Sequence, residues 1–197
     1  MSPRRPLRFG FTIIELLISV ALVAIVLTLA IPSFQDFIVV QRLKSVNQQL
    51  VTDLQFARSE AVSRNSFMAL AFNSNGSVTC YTIFTTPTLA PICNCTLGAG
   101  AACSAAGSSV KEVRTVQIER GLSVQVQPAG NPPMFAFDPV TGGLFSIPSD
   151  DSAAPMPPYI IYSRADSSRW FRVTLSTTGR PTVCASASVS TFGAATC

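Results

Sequence analysis

From Phe9 to Phe34 the chain carries a single charged side chain, Glu15, inside a run in which most other positions are apolar. Residues 11–31 supply 21 mostly apolar positions. At about 1.5 Å per residue a helix of that length spans roughly 30 Å, the thickness of a bilayer's hydrocarbon core. Beyond this run the pattern changes without stopping. Leu43, Val46, Leu50, Leu54, Ala57 and Ala61 recur at spacings of three and four, with Lys44, Gln48, Asp53 and Arg58 on other faces, which is the signature of an amphipathic helix. The spacing predicts one long helix in two parts: residues 11–31 apolar on every side, residues 32–65 apolar on one side. Pro32 is expected to kink or locally melt it, since proline removes a backbone donor and crowds the preceding turn.

After Asn65 short apolar and β-branched runs alternate with turn formers, which predicts a β-rich head over residues 66–197. Residues 67–72 and 78–85 flank Asn73-Ser74-Asn75-Gly76-Ser77, a hairpin signal. Residues 122–127 alternate, and further strands are expected at 134–137, 159–163 and 169–175. Residues 87–109 and 148–158 read as two long loops. The fold class expected is α+β: a long N-terminal helix packed on an antiparallel β-sheet or small β-sandwich, with disulfide-tied loops.

Composition sharpens this picture. The net charge is +4, but Arg4, Arg5 and Arg8 lie in the first ten residues; without them 11 basic residues face 10 acidic ones, leaving +1. A nearly neutral body argues against broad attraction to nucleic acid. Arginines ahead of an apolar helix predict a cytoplasmic N-terminus and an exported C-terminus. The six cysteines, Cys80, Cys93, Cys95, Cys103, Cys184 and Cys197, then meet an oxidising compartment, where disulfides are favoured over zinc thiolates. Pairing among six is open from sequence; Cys184 with Cys197 is the best single choice. There is no histidine in the chain, and no phosphate-binding loop, nucleophile elbow or acid pair in a cleft context, so no catalytic residue, cofactor or metal is expected. Asp150-Asp151 reads as a solvated charge pair.

An ordinary secretory signal, cut near Thr28-Leu29-Ala30, is the competing reading of the N-terminus. Two features oppose it. Glu15 costs roughly 2.5–3.5 kcal/mol at mid-membrane unless it has a partner, and the helical pattern runs on past the apolar run instead of ending at a domain start.

Gly10-Phe11-Thr12-Ile13-Ile14-Glu15-Leu16-Leu17-Ile18 resembles the prepilin cleavage and methylation motif, and Ala30-Ile31-Pro32-Ser33-Phe34 is similar to the segment where pilin helices carry their proline. The resemblance implies that residues 1–10 are a leader, removed by prepilin peptidase between Gly10 and Phe11, with Phe11 then methylated at its new N-terminus. It implies that Glu15 pairs with the terminal ammonium of a neighbouring subunit. Within type IV pilin-like proteins, Ala57-Arg58-Ser59-Glu60-Ala61 resembles the segment that marks the GspH/FimT family of minor pilins and pseudopilins, with scattered matches at Phe135-Ala136-Phe137-Asp138 and Thr177-Thr178-Gly179-Arg180. The implied role is a structural minor subunit of a type IV pilus or type II secretion pseudopilus, single-pass in the bacterial inner membrane with a periplasmic head, whose partners are prepilin peptidase and other pilin or pseudopilin subunits.

A binding role is the alternative. The FimT branch is linked to DNA uptake through a Gly-Arg-x-Arg motif, of which Gly179-Arg180-Pro181-Thr182 keeps the first half. Arg164, Arg169, Arg172 and Arg180, interleaved with Trp170 and Phe171, are the candidate DNA contacts. As a simple strand, residues 169–172 would put Arg169 with Phe171 on one face and Trp170 with Arg172 on the other.

Overall fold

The structure, a computed structural model, describes residues 11–86, 93–107, 109–130, 133–145, 156–190 and 193–197. Gly10, the rest of the expected leader and Asp150-Asp151 lie outside these residues. The chain divides into two compact units, Met1–Ile38 and Val39–Cys197.

Helix α1, Ile13–Arg64, contributes to both units and its backbone is continuous through Pro32. The local melting expected at that proline does not occur: one missing donor removes one link, and the neighbouring links hold the element together. Its start is capped by Thr12, whose Oγ1 accepts from the Glu15 amide at 3.3 Å and whose carbonyl accepts from Leu16 N at 3.2 Å. Its end follows the Schellman pattern. Asn65 takes φ +48°, its amide donates to the Val62 carbonyl, and Ser66 N donates to Ala61 O.

In the first unit every described side chain from residue 11 to residue 28 is exposed. Among the described residues no helix is long and apolar enough to cross a membrane.

The second unit joins the rest of α1 to two antiparallel sheets. One has the order β3-β2-β1-β5-β6, built from β1 (Phe67–Ser74), β2 (Val78–Thr86), β3 (Lys111–Glu119), β5 (Met134–Phe137) and β6 (Leu144–Phe145). The other has the order β4-β7-β8-β9, from β4 (Gln125–Pro128), β7 (Tyr159–Arg164), β8 (Trp170–Leu175) and β9 (Pro181–Ala185), followed by the short α2 (Ala187–Ser190). Period-two alternation sorts the first sheet. Met68, Leu70, Phe72, Tyr81, Ile83, Phe135 and Phe137 join the main core with Leu43, Leu50, Leu54, Ala57 and Ala61 of α1. Val126, Ile161, Phe171, Val173 and Leu175 of the second sheet, with Val124 just ahead of β4, close the same core. On the other side of the first sheet, Ala69, Ala71, Phe84, Met134 and Ala136 pack against Cys93, Cys103, Ala106 and Val110. The central strands are therefore buried on both faces.

One expected strand is corrected, and four elements appear where none was expected. The strand expected at residues 122–127 begins only at Gln125, because residues 120–122 form a 3-10 turn that ends with Ser123 in the left-handed region at φ +56°. Strand β3 has no counterpart among the expected strands: it is a sheet edge on which only Ile118 is buried, so its alternation carries little apolar signal. β6, β9 and α2 also have no counterpart among the expected elements; Pro181 stands at the first position of β9, where a proline is tolerated in a strand.

Candidate functional site

Cleavage, methylation and subunit pairing are all expected at the N-terminal segment. Phe11 is 84% exposed, Thr12 caps α1, and Glu15 stands three residues after the cap with its side chain exposed. A serine or threonine cap followed three residues later by glutamate is the capping-box pattern, and the helix dipole favours a carboxylate in the first turn. Glu15 thus suits an isolated helix start in water. In hydrocarbon the same exposed carboxylate calls for a cation. The apolar side chains around it, Ile13, Ile14, Leu16, Leu17 and Ile18, are all more than half exposed, so the segment meets its environment on every side.

A second constellation joins the three stretches that carry the family resemblance. Arg58 Nε donates to the Gly142 carbonyl at 3.1 Å and to the Thr178 carbonyl at 3.2 Å. Gly142 belongs to the turn that follows Phe137 and Asp138. In that turn Asp138 Oδ2 accepts from Thr141 N at 2.7 Å and Val140 N at 3.2 Å. Gly179 lies in the turn between β8 and β9 with φ +74°, and a Cβ there would stand 2.2 Å from the Gly142 carbonyl oxygen and 3.2 Å from Arg58 Cδ. Only glycine lets the two turns approach this closely. One guanidinium on α1 therefore fastens two turns separated from it by 84 and 120 residues, which is a structural task for a residue that sequence reasoning treated as a family marker.

Helix and first sheet are also tied by charge. Asp53, 1% exposed at its side chain, accepts from Tyr81 Oη at 2.7 Å and lies 2.8 Å from Arg114 Nη1. Burial first, then the charge of Asp53 and the hydrogen bond to it, push the Tyr81 phenol far above its usual range, against the opposing effect of Arg114.

The four arginines proposed for DNA do not form one group. Arg169 sits in the turn before β8, where its Nε lies 2.6 Å from Asp166 Oδ2. Burial raises the Asp166 carboxyl, and hydrogen bonds from Ser168 and Arg169 outweigh it, holding the group well below the usual carboxylate range. Arg180 is exposed at the opposite end of β8, in the turn that Arg58 fastens. Arg164 and Arg172 do come together. The register pairs Arg164 with Trp170 and Tyr162 with Arg172, so both arginines and both aromatic residues lie on the outer face of the second sheet. The Arg164 guanidinium stands 5.1 Å from the Tyr162 ring centre, and Tyr162 meets Trp170 edge to face at 5.7 Å. Gln125, Gln127, Ile160, Thr174, Thr182 and Cys184 share that face, which carries no acid among these positions. Pairing two strands creates a cluster that one strand could not show.

All six cysteines are bonded: Cys80 to Cys95, Cys93 to Cys103 and Cys184 to Cys197. The first two fasten the loop that covers the outer side of the first sheet, helped by Glu112, which accepts from Gly100 N at 2.8 Å and Ala102 N at 3.1 Å. Among the described residues no three His, Cys, Asp or Glu side chains assemble into a metal-binding group.

Comparison with known families finds two matches. Residues 47–179, more than half the chain, match the family described as type II transport protein GspH, and residues 5–31 match the prokaryotic N-terminal methylation motif. No curated protein matches. Among solved structures, the chain is similar to the crystal structure of the Pseudomonas aeruginosa type IV minor pilin FimU, at 17% identity over 73% of this chain and 88% of that one, with a TM-score of 0.49.

Proposed function

Because the chain belongs to the GspH family of type II transport proteins and carries a prokaryotic N-terminal methylation motif, we propose that it is a minor structural subunit of a type IV pilus or type II secretion pseudopilus. Prepilin peptidase cuts between Gly10 and Phe11 and methylates Phe11. Before assembly the chain is held in the bacterial inner membrane by residues 11–31, N-terminus cytoplasmic and head periplasmic. On assembly the apolar helix passes from lipid into the filament, and the head forms surface. No reaction is needed beyond this processing.

One observation carries the reading: the methylation motif runs directly into a helix whose apolar side chains are exposed on every side. Such a surface needs lipid or other apolar helices around it. Glu15 is the exception in that surface, and a neighbour's terminal ammonium removes the cost of its charge. The test is Glu15→Ala. Cleavage should proceed while incorporation into filaments fails; normal incorporation would remove this role.

A second reading, DNA binding by the head, is favoured by one feature, the acid-free outer face that carries Arg164, Tyr162, Trp170 and Arg172. Gel shift of the detergent-solubilised chain should then weaken for Arg164→Ala with Arg172→Ala and persist for Arg180→Ala. Absence of retardation at low salt rejects this reading.

A further inference from the structure

The three disulfides sit in different surroundings. Cys80, Cys93 and Cys95 are 0% exposed and Cys103 is 8% exposed, so the bonds Cys80–Cys95 and Cys93–Cys103 lie beneath the surface of the head. In the third, Cys184 is half-buried and Cys197 is exposed. Thiol–disulfide exchange needs an attacking sulfur to reach the bond, so access alone separates the third from the other two.

Charge separates them further. Cys184 on β9 stands directly opposite Arg172 on β8, which is in turn opposite Tyr162 on β7. Side chains opposed in this way share a face, with Cβ atoms about 4.5–5.5 Å apart. Arg172 Nε is buried and has no hydrogen-bond partner among the described residues, and this face of β7, β8 and β9 carries no acid to neutralise the arginine. Reactive cysteines occupy electropositive, partly exposed surroundings, whereas buried structural ones are inert. Only the third bond meets both conditions. Without it, two backbone hydrogen bonds would join the C-terminal segment to β9: Ala185 N to Ala195 O at 2.8 Å and Cys197 N to Ala185 O at 3.0 Å. Contacts that few at a sheet edge open readily.

We propose that Cys184–Cys197 is a thiol–disulfide exchange site that reacts with an external dithiol and acts as a redox-sensitive clasp on the C-terminal segment. One thiolate of the dithiol attacks Cys197 Sγ, on the more exposed residue of the pair. A mixed disulfide forms, the Cys184–Cys197 bond breaks, and its electron pair passes to Cys184 Sγ beside the Arg172 cation, which offsets the new negative charge. The second thiolate of the dithiol then attacks the first one's sulfur, and Cys197 leaves as a thiolate. The dithiol is oxidised by two electrons to its own disulfide, the cysteine pair is reduced by two, and the dithiol's two protons pass to the cysteines. The clasp operates whether or not the chain enters a filament.

The test treats the detergent-solubilised full chain with limiting dithiothreitol, alkylates free thiols at intervals and locates them by peptide mass. Cys184 and Cys197 should be labelled at least about tenfold faster than the other four cysteines. Simultaneous labelling of all six, or earlier labelling of either buried pair, overturns the proposal. Two variants probe the cation. Arg172→Leu should slow labelling of Cys184 and Cys197 severalfold, and Arg172→Lys should restore the rate, which an arginine serving only to pack the sheet would not predict. An unchanged rate in Arg172→Leu overturns the proposal as well. Should that variant fail to fold, the salt dependence of the wild type decides: slower labelling at high ionic strength supports a charged site, and an unaffected rate overturns it.

Discussion

The two halves of α1 are nearly equal in backbone and opposite in what their side chains require. Leu16, Leu17, Leu22 and Ile25 are 58–60% exposed, whereas Leu43, Leu50 and Leu54 are fully buried. The first half is apolar around its whole circumference, so no arrangement of this chain alone could bury it. The second confines its apolar residues to one stripe and finds partners in both sheets. Apolar content alone therefore does not determine where a helix belongs; its distribution around the axis does. An anchor takes its surroundings from outside the chain, and a core helix brings its own.

Substitution at matched leucines is the strongest way to break this comparison. Leu54→Ala should destabilise the head by about 2–5 kcal/mol, the range for a buried leucine that leaves a cavity. Leu22→Ala should leave chemical denaturation of the head unchanged. Equal effects would mean that the halves are not distinct. Next in size is the C-terminal tie: Cys184→Ser with Cys197→Ser should cost about 3 kcal/mol in the same assay, as expected for a loop of this length, with no effect on processing at Gly10. Gly179→Ala should cost about 2–4 kcal/mol, since its Cβ would meet the Gly142 carbonyl oxygen from a left-handed backbone. Arg58→Ala, which only releases the two carbonyls, should cost less, about 2 kcal/mol.

How much of this was legible beforehand follows physical lines. The two halves of α1 could be read because helical periodicity is local, and the β1–β2 hairpin because its turn residues are local too. β3 escaped notice since an edge strand buries few side chains. Residues 122–124 were taken for strand because Leu122, Val124 and Val126 alternate with polar residues, and nothing in the identity of Ser123 announces the left-handed backbone that ends the turn there. Arg58 was recognisable as part of a family segment, but its grip on Gly142 and Thr178 depends on tertiary closure across more than eighty residues. The outer-face cluster of Arg164 and Arg172 likewise required the register of β7 on β8.

The smallest effect expected is at the end of α1. Glu60 and Arg64 form an ion pair on an exposed surface, so Arg64→Ala should shift head stability by only about 0.3–0.5 kcal/mol, and less at high salt. A loss comparable to that of Leu54→Ala would show that this last turn is held by more than its surface pair.

The central claim is that the outward-facing half of α1 is a pilin-type segment. Intact mass of the chain expressed with and without prepilin peptidase tests it most directly. The account predicts that the peptidase removes residues 1–10 and adds one methyl group at Phe11. An unchanged mass, or a cut after Ala30, would contradict it.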